Sequence, residues 1–147
     1  MEQKLKLKGT HIGVLRHSDG TVEVNRKDNL ILNVGFDFIA DAIGKADGRP
    51  GCMAYTAVGT GTTAADAAQT GLVTELARKP AVYAHTAGTK VFTFTTKFEA
   101  GEATGAITEA GICNAASGGT FLDRVTFGVI NKGDDDTYES HFQFTLS

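Results

Sequence analysis

The stretch from Thr108 to Ile130, TEAGICNAASGGTFLDRVTFGVI, decides the fold class. Two β-compatible runs flank a turn of small residues, Asn114 to Gly119, and the second run alternates. A period of two places Phe121, Val125, Phe127 and Val129 on one face and turns Arg124 and Thr126 the other way. A hairpin of this kind packs one face against another layer, and its residues are not arranged to do chemistry.

The same pattern extends in both directions. Leu5 and Leu7 alternate with Lys4, Lys6 and Lys8, giving a short strand with an apolar and a basic face. Three lysines on a terminal strand fit a solvated edge that resists stray pairing, or a docking contact to an acidic surface. Gly13 to His17 and Thr21 to Val24 are separated by Ser18-Asp19-Gly20, a hairpin signal because Gly accepts the positive φ of the turn. Ala54 to Val58 reads as a buried strand, and Leu72 to Lys79 as a short turn or an edge segment ending at Pro80. Val82 to His85 pairs with Thr89 to Phe98, directing Phe92, Phe94 and Phe98 inward. Ala106 to Cys113 follows the turn Glu99 to Gly105, and Tyr138 to Leu146 sets Phe142, Phe144 and Leu146 on one face. Burial of each phenylalanine contributes about 2 kcal/mol, so these rings form the predicted core.

One helix interrupts the strands, from about Val34 to Ile43. Phe36, Ile39, Ala40 and Ile43 make an apolar stripe, with Asn33 placed to cap the start and Gly44 to end the helix in a left-handed conformation. Asp37 and Asp41 fall off the stripe, on a solvated face. The sequence therefore predicts an all-β chain, an antiparallel β-sandwich of jelly-roll-like form with one short amphipathic α-helix. It forms a single domain over residues 1–147, with residues 1–9 as an N-terminal arm or edge strand.

Composition agrees with that reading. Among 147 residues there are 18 Gly and only 2 Pro, and 41% are hydrophobic against 21% charged, which fits short strands and tight turns in a folded chain. A net charge of −3 offers no electrostatic footprint for nucleic acid. The N-terminus has no apolar signal core and no run approaches the roughly 18 apolar residues of a membrane span, so no membrane partner is expected. Cys52 and Cys113 are expected to be free thiols, since one pair makes no disulfide framework.

Motifs for catalysis or cofactors fail in detail. His11, His17, His85 and His141 have no metal-ligand spacing, and the His-x-His of metal-binding jelly rolls is missing. Gly59-Thr60-Gly61-Thr62-Thr63 follows a strand as a phosphate loop would, but no Lys follows and the glycine spacing is wrong. Asp134-Asp135-Asp136 lacks the spaced oxygens and closing Glu of a calcium loop and reads as a hairpin tip. No catalytic residue, metal or cofactor is expected. Glu109 alone is singular: it shares strand register with Ile107 and Cys113 on an apolar face, which marks a structural carboxylate that accepts backbone N–H bonds or pairs with Arg124 or Arg78.

Several blocks together resemble small virion proteins of tailed bacteriophages. They are Val58-Gly59-Thr60-Gly61-Thr62-Thr63-Ala64, then Leu72 with Glu75 and Arg78, Phe98 to Ala103, and Ile107 to Ala115; Asn33 to Phe36 with Ile39 and Ala40 belong to the same pattern. The basic N-terminal strand lies outside the resemblance. Proteins of this kind include head decoration (cement) proteins and tail-fibre or tail-associated proteins. The resemblance implies a non-enzymatic protein, made in the host bacterial cytoplasm, that binds the major capsid protein on the outer head surface and stabilises the head. It also implies self-association, as a homotrimer or dimer, and makes Lys4, Lys6 and Lys8 the first candidates for capsid contact. A tail-fibre or baseplate component is the alternative, and a carbohydrate-binding module a third, although the chain has no Trp for sugar stacking.

Overall fold

A computed structural model describes residues 1–147. The elements follow as β1 (Leu7–Arg16), β2 (Val22–Ile31), α1 (Asn33–Gly44), β3 (Tyr55–Gly59), β4 (Glu75–Pro80), β5 (Val82–His85), β6 (Val91–Phe98), β7 (Gly105–Cys113), β8 (Asp123–Lys132) and β9 (Thr137–Leu146). All pairing is antiparallel, in the order β4-β3-β7-β8-β2-β1-β9-β6-β5.

Two corners turn that single run into layers. Between β8 and β2 only Leu30 with Arg124 and Ile31 with Asp123 are paired. On the opposite side the chain passes from β4 to β5 through Ala81 alone, so one extended segment serves both layers. Pro80 ends β4 without an N–H to donate, the Ala81 N–H donates to the Ala54 carbonyl (2.8 Å), and the Thr96 hydroxyl donates to that of Thr56 (2.9 Å) between the layers. The result is an antiparallel β-sandwich nearly closed into a barrel.

Alternation fills its interior. In β1, Gly9, His11, Gly13 and Leu15 point inward; in β9, Tyr138, Ser140, Phe142 and Phe144 do. Phe92, Phe94 and Phe144 lie with ring centroids 5.2–6.1 Å apart and join Val58, Ile107 and Val125 of the facing layer in one core. The β1–β2 hairpin turns at Gly20 (φ +91°), where Asp19 accepts the Thr21 N–H at 2.9 Å.

Several expectations need correction. The alternation of β8 breaks where the β7–β8 register shifts: Ile107 pairs with Ile130 but Glu109 with Thr126, so Thr108 alone stands opposite Phe127, Gly128 and Val129. Ile130 enters the core, whereas Val129 is 52% exposed; Arg124 faces away from the core yet is completely buried. The same shift separates Glu109 from Ile107, which joins the main core while Cys113 joins a second, smaller cluster. The helix is entered from Leu32, with no side-chain cap from Asn33, and Gly44 is its last residue, followed by an extended Lys45. The Asn33 N–H is instead taken by the Ala67 carbonyl at 2.8 Å. Asp134 to Asp136 cap no hairpin: β8 and β9 belong to different layers, and the turn between them is a crossover. At the N-terminus the strand begins at Leu7, leaving Lys4 and Leu5 outside it, and β1 is central, paired with both β2 and β9.

Candidate functional site

The end of the sandwich where β1 begins and β9 finishes carries the most unusual surface. Leu7 is paired there with Leu146, and Phe92 with Phe144 on the next strand. Helix α1 is held against this end by a close approach at Gly35, where an added Cβ would lie 2.2 Å from the Leu122 carbonyl oxygen. The approach turns Phe38, Ile39 and Ala42 toward the sheet, and a groove of about 510 Å³ remains between helix, residues 49–53 and the β5–β6 edge. Leu7, Phe38, Met53, Tyr83, Phe92 and Leu146 are among its walls. Its one charged wall residue, Arg49, donates to the Ala42 carbonyl at the helix C-terminal end, where a cation is favoured.

The apolar surface continues beyond the groove. Phe36 (54% exposed) and Ile43 (78%) stand on the helix flank, and Tyr83 (57%) on β5. The predicted stripe of α1 is thus divided: Ile39 packs inward, while Phe36 and Ile43 meet water. Clusters of exposed large apolar residues mark interaction sites, whereas isolated ones do not. This surface was missed at sequence level, but one signal was present: apolar residues at 34, 36, 38, 39, 40, 42 and 43 surround most of the helix, so two sides need covering.

The basic arm lies next to it. Lys6 and Ser147 exchange backbone hydrogen bonds (2.6 and 2.9 Å), after which the chain runs past the end of the sheet. Gln3, Lys4 and Leu5 line a recess of about 460 Å³ with Lys90, Leu146 and Ser147, so Leu146 belongs to both recess and groove. Lys4, Lys6 and Lys8 are all exposed; Lys8 stands 3.9 Å from Asp28, a surface contact of little energetic weight.

Glu109 lies elsewhere, on the outer face of the four-stranded layer, roofed by residues 60–74. Its Oε2 accepts from Arg124 Nη2 (2.6 Å), Arg124 Nε (3.2 Å) and the Val73 N–H (3.1 Å), and Oε1 accepts the Thr74 N–H (2.9 Å). Arg124 continues to the Thr63 carbonyl (2.8 Å) and Gln69 Oε1 (3.0 Å). Arg124 is therefore the partner, and Arg78 pairs with Glu75 at 2.6 Å. Gly59 and Gly61 are explained by the same carboxylate, since a Cβ at either would come within 2.5 Å of a Glu109 oxygen. The two glycines leave room for a protein carboxylate, whose hydrogen-bond donors are Arg124, Val73 and Thr74. The arrangement fixes a loop and leaves no reactive atom free.

Other ionisable groups are also engaged. Asp123, unnoticed in the sequence, is buried at the β2–β8 corner, accepts the Ile112 N–H (2.9 Å) and a bond from Asn29, and is pushed up to about 7 by burial. His17 sits between Glu23 (2.6 Å) and Asp136 (3.1 Å); the hydrogen bond to Glu23, then that to Asp136, raises it above its ordinary value. His11 is buried between the rings of Phe127 and Phe142, with Nε2 3.0 Å from the Ser140 hydroxyl, and desolvation holds it down to about 3. His85 Nδ1 lies 2.9 Å from the Val91 carbonyl, and His141 approaches Glu139 at 3.8 Å. Cys113 is buried, its thiol pushed up to about 11 by desolvation, and Cys52 is exposed in the groove wall; both are free. No three His, Cys, Asp or Glu side chains are grouped to hold a metal, and no helix is long and apolar enough to cross a membrane. No protein-family model, curated protein or solved structure matches the chain.

Proposed function

We propose that this protein is a capsid decoration (cement) protein of a tailed bacteriophage, which attaches to the major capsid protein on the outer head surface and stabilises the head. The observation that carries the reading is the open end of the sandwich, where an exposed basic arm and a broad apolar surface adjoin on a rigid body. Such a surface fits a protein partner, with apolar contact supplying affinity and Lys4, Lys6 and Lys8 meeting carboxylates around it. The resemblance of residues 33–147 to virion proteins supplies the setting. A small module gains firm attachment there when symmetric copies repeat one modest contact across a lattice.

Co-sedimentation of the purified protein with separated heads and tails tests this. The expected result is saturable binding to heads at many copies per particle, weakened by salt and by K4A/K6A/K8A. Binding to tails alone at a few copies per particle would replace this reading with a tail-fibre or baseplate role, and binding to neither would remove both. Full head affinity in the triple variant would take the arm lysines out of the contact.

A further inference from the structure

We infer that the apolar groove is a binding site for an amphipathic monoanion, an unbranched hydrocarbon chain ending in a carboxylate, with the chain between helix α1 and the rings of β5 and β6 and the carboxylate at Arg49.

The walls set the chemistry of the chain. Tyr83, Phe92 and Phe94 form an aromatic side, with ring centroids 5.4–6.3 Å apart. Phe38 and Ile39 of the helix also line the groove. Of its 13 lining residues 11 are hydrophobic, and the other two are Pro50 and Arg49. A polar body laid against such walls would lose its hydrogen bonds to water and gain few in return, so the body of the occupant is hydrocarbon.

Extent selects a chain over a compact group. Leu7, Leu146, Phe92 and Tyr83 come from β1, β9, β6 and β5, four consecutive neighbours in the sheet. Four strands cover roughly 14 Å across, the reach of an extended chain of about a dozen carbons. The volume of about 510 Å³ is also of the size that takes small apolar ligands.

Arg49 sets the charge. It is the only charged residue of the walls, and it donates to the Ala42 carbonyl. Arg16, Arg78 and Arg124 each hold a carboxylate of the chain, whereas Arg49 forms no such pair. A guanidinium has five N–H donors, so an incoming carboxylate finds several unused, and a charge-assisted bond beside apolar walls is stronger than one in open water. A cationic amphiphile would instead meet like charge. The site is read on the isolated protein, so it stands or falls separately from the head-binding reading.

Cys52 reports occupancy, being exposed in the groove wall, while Cys113 is buried. The full-length protein is titrated with decanoate below its micelle concentration, and both the heat of binding and the alkylation of Cys52 by uncharged iodoacetamide are followed. The expected result is saturable binding of one decanoate per chain, with Cys52 protected at saturation. From dodecanoate down to octanoate, affinity should fall about two- to fourfold for each methylene removed. Decanol and decyltrimethylammonium should bind about tenfold more weakly than decanoate, and R49Q, altered at an exposed position, should bring decanoate down to the level of the alcohol. Absence of saturable binding overturns the proposal, as does a Cys52 that is alkylated at its free rate with decanoate bound. Equal affinity for decanol and decanoate, or an R49Q variant that binds decanoate as the wild type does, overturns it too, and would leave the groove an apolar surface open to any partner.

Discussion

On the outer face of β7 a carboxylate and a guanidinium are completely buried and a loop is wrapped around them; at the open end, phenylalanine, isoleucine and tyrosine side chains are left in water. Both arrangements are expensive for an isolated chain, in opposite ways. Burying Glu109 and Arg124 costs desolvation, offset by the Val73, Thr74, Thr63 and Gln69 contacts that complete their hydrogen bonding. Exposing Phe36, Ile43 and Tyr83 forgoes burial energy that nothing within the chain restores. The first region has all its partners inside one molecule, so it belongs to stability. The second lacks them, and the proposed attachment to a partner is what would supply them.

The contrast breaks most easily at Glu109. Glu109→Ala leaves Arg124 charged and buried with two of its four hydrogen bonds gone, so unfolding by denaturant should show a loss of about 3–5 kcal/mol. Replacing both groups by apolar residues of similar size, E109L with R124M, should restore much of that loss, because no uncompensated charge remains. A loss below about 1 kcal/mol in E109A would mean that the loop is held by other contacts, and the division between the regions would fail.

Asp123, close to that network, makes the same region sensitive to pH. Its folded value is raised from 3.8 to about 7 by burial, so the folded state binds the proton more tightly than the unfolded state. The stability it contributes is therefore complete below about 4 and is lost as pH rises through about 7. Fully expressed, that amounts to about 4 kcal/mol. Asp123→Asn keeps an acceptor for the Ile112 N–H and removes the charge, so it should flatten the stability profile over this window and leave the variant more stable than the wild type above pH 7. His17 has the same sign, its contribution present below its ordinary 6.5 and lost as pH rises past its elevated folded value. A residual slope in D123N that H17Q abolishes would assign the remainder to the Glu23 and Asp136 contacts. An unchanged profile in D123N would show that Asp123 ionises normally.

Sequence reading reached the sandwich because strands with one buried face declare themselves by alternation; β1, β6 and β9 follow it closely. It failed in β8, where the register shift near Thr108 moves Ile130 inward and Val129 outward, since a bulge arises from two strands together and has no signature in either. Glu109 stood out as a lone carboxylate in an apolar run. The loop that covers it could not be seen, because Val73 and Thr74 offer only backbone N–H groups that any residue carries. Asp123 lay in the alternating run with no mark of its burial, because its partners, Asn29 and the Ile112 N–H, come from other strands. The groove was least legible: its walls come from positions as distant as Leu7, Phe38, Tyr83 and Leu146, which only the closed topology brings together.

Smaller effects separate support of the groove from its surface. Gly35→Ala drives a Cβ against the Leu122 backbone carbonyl, which cannot move aside as a side chain could, so a loss of about 1–3 kcal/mol is expected together with weaker binding as α1 shifts. Phe36→Ser and Ile43→Ser alter side chains that already contact water, and thermal or denaturant unfolding should stay within about 0.5 kcal/mol of the wild type. If the open end exists to meet a partner, these two quiet substitutions should still weaken attachment to particles, because an interface gains from the same apolar area that the isolated fold leaves unused. A large loss of stability would mean that the two side chains already have partners within the chain. Unchanged attachment would confine the contact to the arm and the groove interior, leaving the helix flank as ordinary surface.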